Sequence, residues 1–110
     1  MKKVLLLFAT SLMLTVAVFA QTQRQRNVAI FVHEGVELLD FGGPGEVFAS
    51  TPGFTVYTVA PSEAALISQR FLKVLPAYTI FNCPKPDIIV LPGGASNIPA
   101  SNDEVIKWVR

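Results

Sequence analysis

The chain is poor in the residues that staple or metallate a small protein: among 110 residues there is one cysteine, Cys83, and one histidine, His33. A single thiol cannot close an internal disulfide, so stability has to come from packing or from a partner chain. A structural zinc site takes four nitrogen or sulfur ligands from the protein, so no metal is expected. Charge of one sign is lacking too. The basic residues are scattered, which gives a nucleic-acid surface no electrostatic support. The spacings G-x-G-x-x-G and G-x-x-x-x-G-K-[ST] are absent, so neither dinucleotide nor nucleotide phosphate binding is supported and no cofactor is expected.

Long apolar runs are confined to the beginning. Lys2 and Lys3 precede an uncharged, mostly apolar stretch from Val4 to Ala20, followed by polar Gln21-Thr22-Gln23. A basic start, an apolar core and a small residue before a polar segment form the pattern of a secretory signal, so residues 1–20 are expected to be cleaved after Ala20. The run is short of the roughly 20 residues of a comfortable span, which speaks against a retained anchor. A periplasmic or secreted protein without membrane contact after cleavage is the expectation. Without Lys2 and Lys3, the nine basic residues fall to seven against eight acidic ones, a formal charge of −1. Ninety residues suffice for one small domain.

Residues 21–26 read as a polar tether and 27–110 as the domain. Asn27 to Val32 is nearly continuous in apolar character, as suits a strand covered on both faces. Val36 to Ser50 carries a helical pattern interrupted by Gly42-Gly43-Pro44, and propensity alone starts the helix at Pro44. Phe54 to Ala60 is β-branched and aromatic, a second strand. Ala65 to Ser68 and Phe71 to Leu75 read as short strands at a sheet edge, Pro76 to Pro86 as a loop, and Ile88 to Leu91 as a buried strand. Ser101 and Glu104 have capping-box spacing ahead of Val105, Trp108 and Val109 on one helix face. This order defines a doubly wound α/β domain with right-handed crossovers. The last helix leaves one face of the sheet partly bare, so the domain is expected to be incomplete at its C-terminus, and the open sheet makes association as a homodimer a further expectation.

Three features could carry chemistry. Asp40 follows the first strand, with Glu37 before it and Glu46 after it. A carboxyl beside Leu38, Leu39 and Phe41 could be desolvated and exchange a proton with a nucleophile; alternatively these acids complement a helix dipole. Pro92-Gly93-Gly94 after a buried strand could aim backbone N–H groups at a developing oxyanion, or could be an ordinary turn. Cys83 lies in a proline-rich loop without the electropositive setting of a reactive thiol. His33 ends the first strand and could face the same crevice, though it reads better as an ordinary loop-edge histidine.

Val28 to Val32 leading to Glu37-Leu38-Leu39-Asp40-Phe41-Gly42-Gly43-Pro44-Gly45-Glu46-Val47-Phe48, then Phe54 to Pro61, then Pro86 to Gly94, resemble in order the ThiJ/PfpI family of the class I glutamine-amidotransferase-like superfamily, in its isonitrile hydratase-like branch. The resemblance implies a flavodoxin-like three-layer sandwich with a mostly parallel sheet and a first helix that starts before Pro44. It further implies a nucleophilic cysteine on a sharp strand-to-helix turn, tuned by an acid at the position of Asp40, with an oxyanion donor around Gly94. That turn would follow the helix that begins near Ser101, so the chain resembles the N-terminal half of such a protein, lacking the nucleophile and inactive by itself. In complete form the family suggests a cysteine-dependent hydrolase or hydratase of a small molecule. A module of the same fold that binds a small molecule or a partner without catalysis is the alternative.

Overall fold

The apolar run after Gln25 becomes the central strand of the sheet. In a computed structural model, which describes residues 24–110 together with Met1 and Lys3, β1 (Arg26–Phe31) lies between β2 (Phe54–Ala60) and β6 (Ile88–Val90), parallel to both. The expected signal segment and its cleavage site lie outside the described residues, apart from Met1 and Lys3. The sheet order is β5-β2-β1-β6, with β5 (Tyr78–Thr79) parallel to β2 at the far edge. Val28, Ala29, Ile30 and Phe31 are all buried. Successive residues of a strand face opposite sides, so a strand buried throughout needs cover on both.

Two helices supply that cover. Helix α1 (Leu38–Ala49) lies over the face of Val28 and Ile30, close enough that a methyl group on Gly45 would sit 3.3 Å from the Ile30 side chain. After a short helix α2 (Asn97–Ala100), helix α3 (Asp103–Val109) covers the other face, where Val105 and Trp108 join Ala29, Phe31, Tyr57, Val59 and Ile80. The Phe31 and Trp108 rings stand 5.9 Å apart. The result is the three-layer α/β sandwich with a mostly parallel sheet that the element order implied. Strands β3 (Leu66–Ser68) and β4 (Leu72–Val74) form the anticipated excursion as a separate antiparallel hairpin. It is seated through Leu66 and Val74 on Val32, Val36 and Ala60.

Helix α1 begins six residues before Pro44, so the start drawn from propensity is corrected and the one implied by the resemblance holds. An internal proline removes the N–H that would bond the carbonyl of Asp40, and glycines weaken a helix by about 1 kcal/mol each. Packing of Phe41 onto the Val32–Val36 cluster outweighs these costs. At α3 the cap is Asn102 rather than Ser101: its Oδ1 accepts from the N–H groups of Glu104 and Val105 at 3.0 and 3.3 Å. The Ser101 hydroxyl donates instead to Ile98 O at 2.9 Å, closing α2. Within the segment read as a loop, β5 forms because an edge strand needs only one partner. The tether is shorter than expected, since Arg24 pairs with Asp87 at 3.1 Å and β1 starts at Arg26.

Tyr57 ties this core to the loop before β6, its hydroxyl donating to Pro84 O at 2.7 Å. Burial raises the phenol above its ordinary value of 10.0, with smaller contributions from Cys83, Tyr78 and Asp87. The folded phenol thus keeps its proton where the unfolded chain has lost it, so stability falls as pH rises past 10.0. Tyr57→Phe is expected to cost about 1 kcal/mol at neutral pH through the lost hydrogen bond, and to lessen the alkaline loss. Urea unfolding between about pH 8 and 11 measures both; an unchanged alkaline slope in the variant would contradict this assignment.

Candidate functional site

The chain leaves β1 toward β2 on one side and returns to pair β6 on the other. Ligands in open α/β sheets collect outside the carboxyl ends of strands at such a switch point. Two segments meet there. Val36, beyond β1, and Gly94, beyond β6, form an antiparallel bridge in which Glu37 N–H donates to Gly93 O at 3.1 Å and Ala95 N–H to Gly35 O at 3.2 Å. With the ladder bonds carried by these neighbours, Val36 and Gly94 are a non-hydrogen-bonded pair and the N–H of Gly94 points away from Val36.

Gly94 has φ +106°, a region L residues rarely adopt, and a Cβ added there would run into the backbone of Gly35, Val36 and Glu37. Asp40, in the first turn of α1, reaches the same turn: its Oδ2 accepts from the N–H of Gly93 at 3.1 Å. A charge-assisted bond of this kind is stronger than a neutral one. A side chain on Gly93 would meet that carboxylate oxygen at 2.8 Å, so glycine allows the approach. The structure therefore joins Asp40 to the Pro92-Gly93-Gly94 turn, two features separated by more than fifty residues.

The surroundings of Asp40 differ from the expectation. It is exposed rather than desolvated, and Leu39 beside it is 76 % exposed. Adjacent residues on a helix point in different directions, so apolar neighbours in sequence do not wrap the carboxylate. Asp40 also stands where it complements the dipole of α1, so the two readings of this acid coexist. Glu37 precedes the helix without a side-chain cap bond, and Glu46 is exposed.

His33 lies in the loop just beyond β1, as expected of a loop-edge residue, but it is buried there. It is 3 % exposed, with Nδ1 3.0 Å from the carbonyl of Glu34 and Nε2 without a hydrogen-bond partner among the described residues. A carbonyl only accepts, so Nδ1 is the donor in this contact. The signal that could have revealed this burial was its place immediately after a continuous apolar run. Cys83 packs instead against the Ala29–Phe31–Tyr57 cluster, on the face of the sheet opposite α1, apart from Asp40. Among the described residues no three His, Cys, Asp or Glu side chains cluster to hold a metal.

A three-layer parallel sheet whose first helix sends a carboxylate to a glycine turn at the switch point defines an α/β domain of the DJ-1/ThiJ type. The model of the DJ-1/PfpI family matches residues 26–110, and the chain belongs to that family. It is 38 % identical over 85 residues to an isonitrile hydratase from Pseudomonas putida, an alignment that takes in 76 % of this chain and 37 % of that protein. The chain thus spans less than half the length of this curated relative. The crystal structure of a ThiJ/PfpI family protein from Pseudomonas syringae superposes with a TM-score of 0.71 at 29 % identity, covering 76 % of this chain and 36 % of the other. A two-domain protein from Anabaena variabilis, with DJ-1/ThiJ/PfpI-like and ferritin-like domains, superposes with a TM-score of 0.69. At 22 % identity, over 77 % of this chain and 26 % of that one, it bears on the fold alone.

Proposed function

We propose that this domain supplies one side of the active site of an exported hydratase or hydrolase that acts on a small molecule, with isonitriles as the substrate class. The observation that carries this reading is the Asp40 carboxylate held 3.1 Å from the Gly93 N–H at the switch point. The likeness to an isonitrile hydratase over 85 residues supports it. Addition of water to an isonitrile, R–NC, gives the N-substituted formamide R–NH–CHO. Attack on the isonitrile carbon, and the later addition of water, build up negative charge, and the Gly94 N–H is the donor assigned here to stabilise it. Asp40 acts as the acid–base partner of the attacking thiol. Cys83, on the far face of the sheet from Asp40, is not assigned the role of that thiol. The test is to incubate the full-length protein with an alkyl isonitrile and follow the formamide by proton NMR. Isonitrile bound but returned unchanged would replace the enzyme with the non-catalytic binding module.

Export rests on the pattern of residues 1–20, and a periplasmic or secreted location follows from it. Protein recovered from the periplasm or medium is expected to begin at Gln21. Intact mass or N-terminal sequencing decides this, and a mature chain that retains Met1 to Ala20 would overturn it. Self-association is proposed as a homodimer; neither nucleic acid nor membrane is a proposed partner of the mature chain.

A further inference from the structure

The hairpin of β3 and β4 takes no part in the main sheet, yet it is tied to the glycine turn through residues 34–37, the segment that leads from β1 into α1. Gly35 is bonded on both sides. Its N–H donates to Ile67 O of β3 at 2.8 Å, and its carbonyl accepts from the N–H of Ala95 at 3.2 Å. The polar groups of a non-hydrogen-bonded pair point apart, so the carbonyl of Val36 faces away from Gly94. There it accepts from the hydroxyl of Ser68 at 2.8 Å. Glu34 completes the tie, its Oε2 accepting from the N–H of Ile67 at 2.9 Å.

Ser68 and Val36 are both fully buried, so this hydroxyl and this carbonyl meet where no solvent can replace either partner. Removing the hydroxyl takes a hydrogen bond from a buried acceptor, which is costly in a folded protein. On the other side, three bonds join the glycine turn to the segment after β1: Glu37 N–H to Gly93 O, Ala95 N–H to Gly35 O, and Gly93 N–H to Asp40 Oδ2. All three end between residues 35 and 40. The place of the turn thus depends on the place of residues 34–37, and theirs depends on the hairpin. We infer that Ser68 and Glu34 are positioning residues, through which the hairpin holds the Pro92-Gly93-Gly94 turn in register with Asp40. This role rests on the hydratase reading for the chemistry of the turn, whereas the tie itself is a matter of hydrogen bonds alone.

Amide hydrogen exchange, followed by NMR on the full chain, reads the tie directly. Ser68→Ala is expected to speed exchange of the Glu37 and Ala95 N–H groups by about tenfold relative to that of Ile30 in β1, the scale of one lost hydrogen bond. A hydroxyl that only stabilised the core would quicken Ile30 and leave the bridge no faster beside it. Glu34 is exposed, so Glu34→Ala keeps the test alive even where Ser68→Ala fails to fold. It should loosen the same two N–H groups, and Glu34→Gln, which keeps an acceptor oxygen, should restore them. In the full-length protein Ser68→Ala and Glu34→Ala are each expected to lower kcat for an alkyl isonitrile by about tenfold with KM little changed, as displaced reacting groups do. An unchanged exchange ratio in both variants, or a loosened bridge with kcat unmoved, overturns the positioning role. Absence of formamide from the unmodified protein would instead remove the hydratase reading, and the exchange ratio would still decide whether the hairpin holds the turn.

Discussion

Gly94→Ala destabilises the domain by about 3–5 kcal/mol, from αL-type strain and the two hydrogen bonds of the bridge. At φ +106° a side chain on residue 94 meets Glu37 N at 2.8 Å and Val36 Cα at 3.0 Å, and closest of all Gly35 O. All three are backbone atoms, and none can swing aside as the end of a side chain could. Relief requires the loop to part from Val36, which breaks the bonds from Glu37 N–H to Gly93 O and from Ala95 N–H to Gly35 O. Set against a total stability of about 5–15 kcal/mol for a single domain, that loss brings the chain near its threshold. Gly43→Ala is the control, because a methyl group there meets nothing within 4 Å and lies on a helix. It should be neutral or stabilising by up to about 1 kcal/mol. The quantity to compare is the urea midpoint of the full chain and its variants. A Gly94→Ala midpoint equal to that of the unmodified chain would mean that the two strand-end loops are not held together by this bridge.

The strands were legible where burial on both faces wrote itself into the sequence. Asn27 to Val32 and Phe54 to Ala60 are runs that only a covered sheet explains, and β1 and β2 lie there. Elements whose stability comes from distant contacts were not legible. The start of α1 depends on Phe41 reaching the Val32–Val36 cluster, which no local propensity records. The two residues of β5 form only because β2 offers an open edge. The choice between Ser101 and Asn102 as cap turned on α2, a four-residue helix with a weak pattern that claims the serine first.

The candidate site was half legible for the same reason. Asp40 and the Pro92-Gly93-Gly94 turn were identifiable by residue type, and the fold brings them within a hydrogen bond of each other. The exposure of Asp40 depends on the rotational phase of α1, which set Leu39 toward solvent. The burial of His33 was not legible because a lone polar residue after an apolar run gives no sign of whether a hairpin and two helices will later close over it. Nothing nearby in sequence announces those neighbours, since Leu66 and Val105 lie more than thirty and seventy residues away.

Asp40→Asn in the full-length protein should lower isonitrile turnover by about 10²-fold or more, the scale for losing a positioned acid–base group. The fold should hardly notice. Asparagine keeps a side-chain oxygen that can accept from the Gly93 N–H, now 3.1 Å from Asp40 Oδ2, so the connection between α1 and the turn persists as a neutral bond. The residue is also exposed, so no burial is gained or lost. The stability change is thus below about 1 kcal/mol, the difference between a charge-assisted and a neutral hydrogen bond at a wet site. Loss of rate with an unmoved melting temperature separates a chemical role from a structural one. A third readout separates proton sharing from simple positioning: alkylation of the nucleophilic thiol as a function of pH. A carboxylate that shares a proton with the thiol favours the thiolate, so its removal should shift the alkylation curve to higher pH. Glu46→Gln, an exposed acid on the same helix, should change neither rate nor curve. If the alkylation curves with and without the Asp40 carboxylate coincide, Asp40 is a clasp for the glycine turn and nothing more. The fold would then serve to bind a small molecule, and the hydratase reading would fall with it.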